Sequence, residues 1–251
     1  MTPTRTQPAR LGIVELRLIF RRRTTLFSAT VLPAALCALT WFTNREIPPN
    51  QWGALLGTRV LVLQLMSVFL VSATVYTARR QALVLKRLRT TELTDTGVIG
   101  GITAPIVALG LAQVLIYLGF CVAIGAPLPQ HPLLVALAVI LGVALSVAAG
   151  MATAALSRSV EATQITSAPL VVGALAGIFM QASGETAVNA AGVAMPLVGP
   201  ADLLTKGWSG MDTGLTLAHI PASLPALIST LLWVAVFAVV IRAAFHWEPR
   251  R

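Results

Sequence analysis

Acidic side chains are scarce: 9 Asp and Glu stand against 18 Lys and Arg in 251 residues, and charged residues make up only 11% of the chain. A soluble domain carries about 25% charged residues, so a water-facing globule is excluded and a bilayer is the solvent in which this composition makes sense. The shortage of carboxylates also argues against a proton- or cation-coupled carrier, which usually needs a carboxylate inside a span; none clearly lies mid-span. Cysteine is limited to Cys37 and Cys121, both within apolar runs, which points to packing residues and excludes a disulfide framework or a metal site. The three histidines, His131, His219 and His246, lie near different run ends and form no cluster with metal-ligand spacing. A GxxxxGK[ST] stretch is missing, so the chain cannot bind ATP by that route. Gly-x-Ser-x-Gly is missing too, which leaves Ser209 and His219 without the frame of a serine hydrolase.

What is present is apolar length. Hydrophobic residues make up 56% of the chain and the mean hydropathy is +0.82. The net charge of +9 is gathered at the ends of apolar runs rather than spread over a polar face, so it reads as membrane topology and not as nucleic-acid binding. The pattern predicts an all-α, polytopic membrane protein with six transmembrane helices at about 25–42, 55–78, 98–126, 133–156, 165–182 and 224–241. Residues 1–10 are polar and Pro-containing and read as a disordered start; residues 11–251 read as a single transmembrane domain. From Ala9 to Arg23, Arg10, Arg17 and Arg21 line one narrow stripe between apolar flanks, the pattern of an amphipathic helix lying in the headgroup plane, expected over 11–23. Basic residues before the first run resemble a signal peptide, but no A-x-A pattern follows and Leu36 before Cys37 fits a lipoprotein cleavage site poorly, so the run reads as a retained anchor. Between the fifth and sixth spans, 187–198 and 201–208 are too short to cross about 30 Å and are expected to dip into the outer leaflet as two short re-entrant helices. With this layout 15 of the 18 cations fall on one side, which predicts that both termini are cytoplasmic.

A few polar residues interrupt the spans. A charge at the bilayer centre costs about 2.5–3.5 kcal/mol on insertion scales, so Arg59 is expected near the outer interface, snorkelling there and paired with Glu46, or serving the outer mouth of a path. Gln64, Gln113, Phe179, Met180 and Gln181 are candidates to line a substrate path, because a polar or polarizable side chain in a span needs a reason. Helix–helix packing accounts for any one of them about as well. Gly173 and Gly177 form a Gly-xxx-Gly pair, for which close packing within one subunit is the expected use.

The most distinctive stretch is 78–101, ARRQALVLKRLRTTELTDTGVIGG, which sets Arg79, Arg80, Lys86, Arg87 and Arg89 between two long apolar segments. In a helix drawn through it, Val84, Leu85 and Leu88 share one side while Lys86 and Arg87 project to the other. Such a helix lies on a membrane surface or docks on a soluble partner; topology and lipid contact alone are the plainer explanation. The run Leu85-Lys86-Arg87-Leu88-Arg89-Thr90-Thr91-Glu92-Leu93-Thr94 resembles the LERLRATPLS segment of ABC-2 type transporter permeases, the membrane-spanning subunits of bacterial ABC exporters. Pro196-Leu197-Val198-Gly199-Pro200-Ala201-Asp202-Leu203-Leu204 is similar to that family's Pro-Leu-x-x-x-x-Asp-Ala-Leu segment. The likeness extends to the layout: an in-plane helix, six spans and re-entrant helices before the last. It departs at Glu92, where the family usually has proline, and at Gln81-Ala82-Leu83-Val84, which replaces an acidic-Gly-Thr stretch.

This resemblance implies a permease in a bacterial cell membrane that moves a drug, antibiotic, peptide or lipid-like substrate outward. It implies two copies of a separate ATPase subunit holding ATP and Mg, a second permease subunit taken as identical, no cofactor on this chain and no enzyme activity of its own. The coupling surface to the ATPase is then expected at Arg80, Val84, Leu85, Arg87, Leu88 and Arg89, with Arg17 and Arg21 of the in-plane helix, and Arg59 and Asp202 at the outer mouth. A polysaccharide or lipid exporter of the same build, an intramembrane enzyme and a non-transporting membrane scaffold are the alternatives.

Overall fold

A computed structural model of the chain describes residues 23–43, 47–82, 95–210 and 222–244, with side chains in the first and third segments described from 30 and 97 onward. The expected in-plane helix at 11–23, with Arg17 and Arg21, lies outside the described residues apart from Arg23. So do 83–94, with Val84, Leu85, Arg87, Leu88 and Arg89, and Glu46.

Among the described residues the chain is all-helical. In order it forms α1 (Arg23–Thr43), α2 (Pro49–Gln81), α3 (Asp95–Ala123), α4 (Pro132–Leu156), α5 (Val160–Gln181), α6 (Thr186–Ala194), α7 (Val198–Ser209) and α8 (Leu224–Ala244). Five of these, α2, α3, α4, α5 and α8, are long and apolar enough to cross a membrane, the make-up of a multi-pass membrane protein. Helix α1 covers the expected first span with 21 residues and keeps Pro33 inside it. Large apolar side chains stay exposed on the long helices, among them Leu133, Ile165 and Phe179. Such surfaces associate in water but are what lipid tails cover.

Helix α2 is longer than the apolar run that announces it. It has 33 residues, about 50 Å at 1.5 Å per residue, opened by a 3₁₀ turn with Pro49 where a missing N–H costs nothing. It carries Arg79 and Arg80 in its last turn. Its middle, Gln64–Phe69, is wound as a π-helix. Helix α5 starts at Val160, earlier than the apolar run at 165, because the Ser159 side chain accepts a hydrogen bond from the Ala162 N–H at 3.1 Å and caps it, with Glu161 in the first turn. The connection from α4 therefore shrinks to 157–159.

Helix α4 is the hub, packing against α2, α3, α7 and α8. Small residues let the backbones approach: a Cβ at Gly150 would stand 2.8 Å from the Ala73 nitrogen of α2. The two short helices appear where the sequence puts them, joined through Leu197, the one non-glycine among the described residues with a positive φ (67°). That left-handed turn costs roughly 1–2 kcal/mol; full burial of the Leu197 side chain, 2% exposed, offsets it at roughly 1.5–3 kcal/mol. Gly173 and Gly177 serve this segment. A Cβ at Gly173 would meet Pro196 at 3.0 Å, and one at Gly177 would meet Met195 at 2.8 Å, so the pair packs within the chain. The α3–α4 turn closes the other end of α7, with His131 N–H donating to the Gly207 carbonyl at 2.8 Å.

Candidate functional site

Helix α2 joins two polar constellations, one at each of its ends. At its C-terminal end Arg80 is 1% exposed. Its Nη1 donates to the Ala155 carbonyl at 3.4 Å and its Nη2 to the Ser157 carbonyl. These belong to the last turn and cap of α4, where carbonyls have no intrahelical donor and the helix dipole is negative, so a guanidinium satisfies both needs at once. One turn earlier, Thr163 Oγ1 of α5 donates to Thr77 Oγ1 at 3.2 Å, while Thr77 donates to the Ala73 carbonyl at 2.9 Å. Tyr76 shares a hydrogen bond with Thr103 of α3. The end of α2 is thus fastened to α3, α4 and α5 within the first residues of the basic stretch, just ahead of 83–94. Arg80, expected on the surface offered to a partner, instead holds this junction from inside.

At the opposite end, α2 lies against α7 through Gly53 and Gly57. A Cβ at Gly53 would stand 2.8 Å from the Thr205 carbonyl oxygen, and one at Gly57 would stand 2.7 Å from the Ala201 carbonyl oxygen. With 201, 205 and 209 turned to α2, the i, i+4 pair Asp202 and Lys206 faces α5. Lys206 Nζ donates to Asp202 Oδ2 at 2.5 Å and to the Ala222 carbonyl at 2.7 Å, and Gln181 Nε2 donates to Asp202 Oδ1 at 3.2 Å. Burial pushes the Asp202 carboxyl above its ordinary range, opposed by the Lys206 ammonium beside it. These residues, with Asn189, Thr186, Thr205 and Thr58, line a cavity of about 580 Å³. It shares Ala54, Thr58 and Ala182 with a second cavity of about 640 Å³ that reaches Gln51 and Arg59.

Arg59 is half-buried and turned toward α1. Its Nη1 donates to Thr40 Oγ1 and its Nη2 to Thr43 Oγ1 at 3.1 Å. Thr40 gives its own proton to the Leu36 carbonyl at 2.7 Å, so it accepts from Arg59 and from Tyr117, whose hydroxyl is 3.0 Å away. Glu46, the partner expected for Arg59, lies outside the described residues.

The five path candidates do not share one surface. Gln181 lines the groove with Asp202. Met180 is half-buried beside Gly192, and Phe179, 76% exposed, points away from the bundle. Gln113 accepts from Ser67 Oγ at 2.8 Å inside the bundle. Gln64 is 3% exposed and packs on α4, where a Cβ at Gly142 would stand 2.7 Å from its Nε2. That Nε2 has no hydrogen-bond partner among the described residues. A buried amide without a partner costs about 1–3 kcal/mol, so Gln64→Leu, similar in volume, is expected to raise the thermal unfolding midpoint in detergent by a few degrees. A lower midpoint would mean that the amide is engaged.

The sequence reading missed Gly53 and Gly57, whose four-residue spacing was as visible as that of Gly173 and Gly177. It also missed the junction made by Arg80. Among the described residues no three His, Cys, Asp or Glu are grouped to hold a metal ion. Comparison with protein-family models, with curated proteins and with solved structures finds no match.

Proposed function

We propose that this chain is the membrane-spanning subunit of an ATP-driven exporter of the ABC-2 type, with α1 as the first of six spans and both termini in the cytoplasm of a bacterium. It carries a drug, antibiotic, peptide or lipid-like substrate outward, and a separate subunit hydrolyses ATP. The observation that supports the reading best is the fastening of Arg80. A push on 83–94 reaches the end of α2, and through Arg80, Thr77 and Tyr76 it moves α3, α4 and α5 as one body. The same 33-residue helix ends against α7 and the Asp202 groove. A nucleotide-driven displacement at one face would therefore be felt at the other as a shift between two packed arrangements. The similarity of 85–94 to the family's coupling segment, and of 196–204 to its segment before the last span, supports the same reading.

The test is assembly. Co-expressed with a P-loop ATPase encoded beside it, the chain is expected to purify as a stable complex of two copies of each. A chain that purifies free of every such ATPase would remove the reading.

A further inference from the structure

Among the described residues the two joined cavities are lined by three charged side chains: Arg59 in one, and Asp202 with Lys206 in the other. Asp202 and Lys206 neutralise each other at 2.5 Å, so among the described lining residues the charge left without an opposite partner is that of Arg59. Among the described residues no carboxylate pairs with it: it donates to the hydroxyls of Thr40 and Thr43, and a guanidinium with five N–H groups keeps donors to spare. The rest of the lining divides cleanly. Gln51, Thr58, Asn189 and Thr186 offer neutral hydrogen-bonding groups, and the Lys206 ammonium stands beside Asp202, whereas Ile47, Leu55 and Ile178 offer apolar wall. Cavities of about 580 and 640 Å³ lie within the roughly 300–1,000 Å³ of ligand pockets.

We infer that this groove binds an anionic amphiphile, its phosphate or carboxylate on Arg59 and a hydroxyl- or amide-bearing head against Asn189, Thr186 and Lys206. The inference goes beyond the exporter reading and stands without any ATPase, because it concerns binding to this chain alone. The amphiphile is either a lipid of the surrounding membrane or a soluble molecule with the same head chemistry.

The test uses the full chain in nanodiscs of phosphatidylcholine doped with phosphatidylglycerol, with lipid retention read by native mass spectrometry. Wild type is expected to retain phosphatidylglycerol over phosphatidylcholine. Arg59→Gln should lose about tenfold of that preference, the scale of one hydrogen bond to a charged group. Asn189→Leu, which fills the groove without touching Arg59, should lose it as well, and thermal unfolding of both variants checks that they fold. Arg242→Gln, an exposed cation at the end of α8, should keep it. Added glycerol 1-phosphate that displaces the lipid marks a site for the head alone and admits a soluble ligand; failure to displace it marks a lipid site. Equal retention of both lipids by wild type, or equal loss in Arg242→Gln, overturns the inference.

Discussion

Replacing Arg80 with alanine is expected to lower stability by about 3 kcal/mol or more, because two buried carbonyls at the end of α4 lose a charged donor together. For a chain of this size that is an apparent unfolding midpoint about 10 °C lower. Arg80→Lys should recover only part of it, since an ammonium is a point donor and cannot span the Ala155 and Ser157 carbonyls as the guanidinium fork does. The functional signature is sharper than the stability loss. A residue that touches the ATPase would lose the complex when changed, whereas one that fastens helices should keep the complex and lose the response of ATP hydrolysis to the membrane subunit. Co-purification of Arg80→Lys with the ATPase at wild-type yield, together with a reduced ATPase rate, is the expected pair of results. Loss of the complex with stability intact would put Arg80 back on the contact surface.

The second large effect is expected at Gly57. A side chain there meets Thr205 and, at 2.7 Å, the Ala201 carbonyl oxygen, which is backbone and cannot swing aside. Gly57→Leu should therefore pry α7 from α2 and cost at least the roughly 1–3 kcal/mol of an overpacked core. The loss should be accompanied by disorder of the Asp202–Lys206 pair, because that pair is aimed at α5 only while α7 stays docked. Gly119→Ala is the control. Nothing stands within 4 Å of a Cβ there, and the residue lies inside α3. It should be neutral or stabilising by up to about 1 kcal/mol through the better helix propensity of alanine. Thermal unfolding of both variants in the same detergent makes the comparison. Equal effects at the two glycines would mean that the α2–α7 approach contributes little.

The helices were legible because a bilayer imposes one rule on the sequence: long apolar runs broken by charge. That rule found the positions of α2, α3, α4, α5 and α8, and it marked 187–198 and 201–208 as too short to cross. It misjudged helix ends, since capping and polar flanks continue a helix past the apolar run, as Ser159 does for α5 and Pro49 for α2. It gave no sign of the π-helical stretch at Gln64–Phe69, whose residues are ordinary helix formers. The site was less legible. Polar residues in spans can be found by eye, but their partners are contributed by other helices: Thr40 and Thr43 for Arg59, Ser67 for Gln113, the end of α4 for Arg80. Gln181 and Asp202, drawn from two different expectations, meet at 3.2 Å, a neighbourhood that only the fold of α6 and α7 creates.

The central claim is that 83–94 receives force from a separate ATPase and delivers it through α2. The most direct measurement is the ATP hydrolysis rate of the purified complex in nanodiscs, wild type against Arg87→Glu and Leu88→Asp. The account predicts that both variants fold as the wild type does and that hydrolysis falls to the rate of the ATPase alone. Rates equal to wild type in both variants would contradict it.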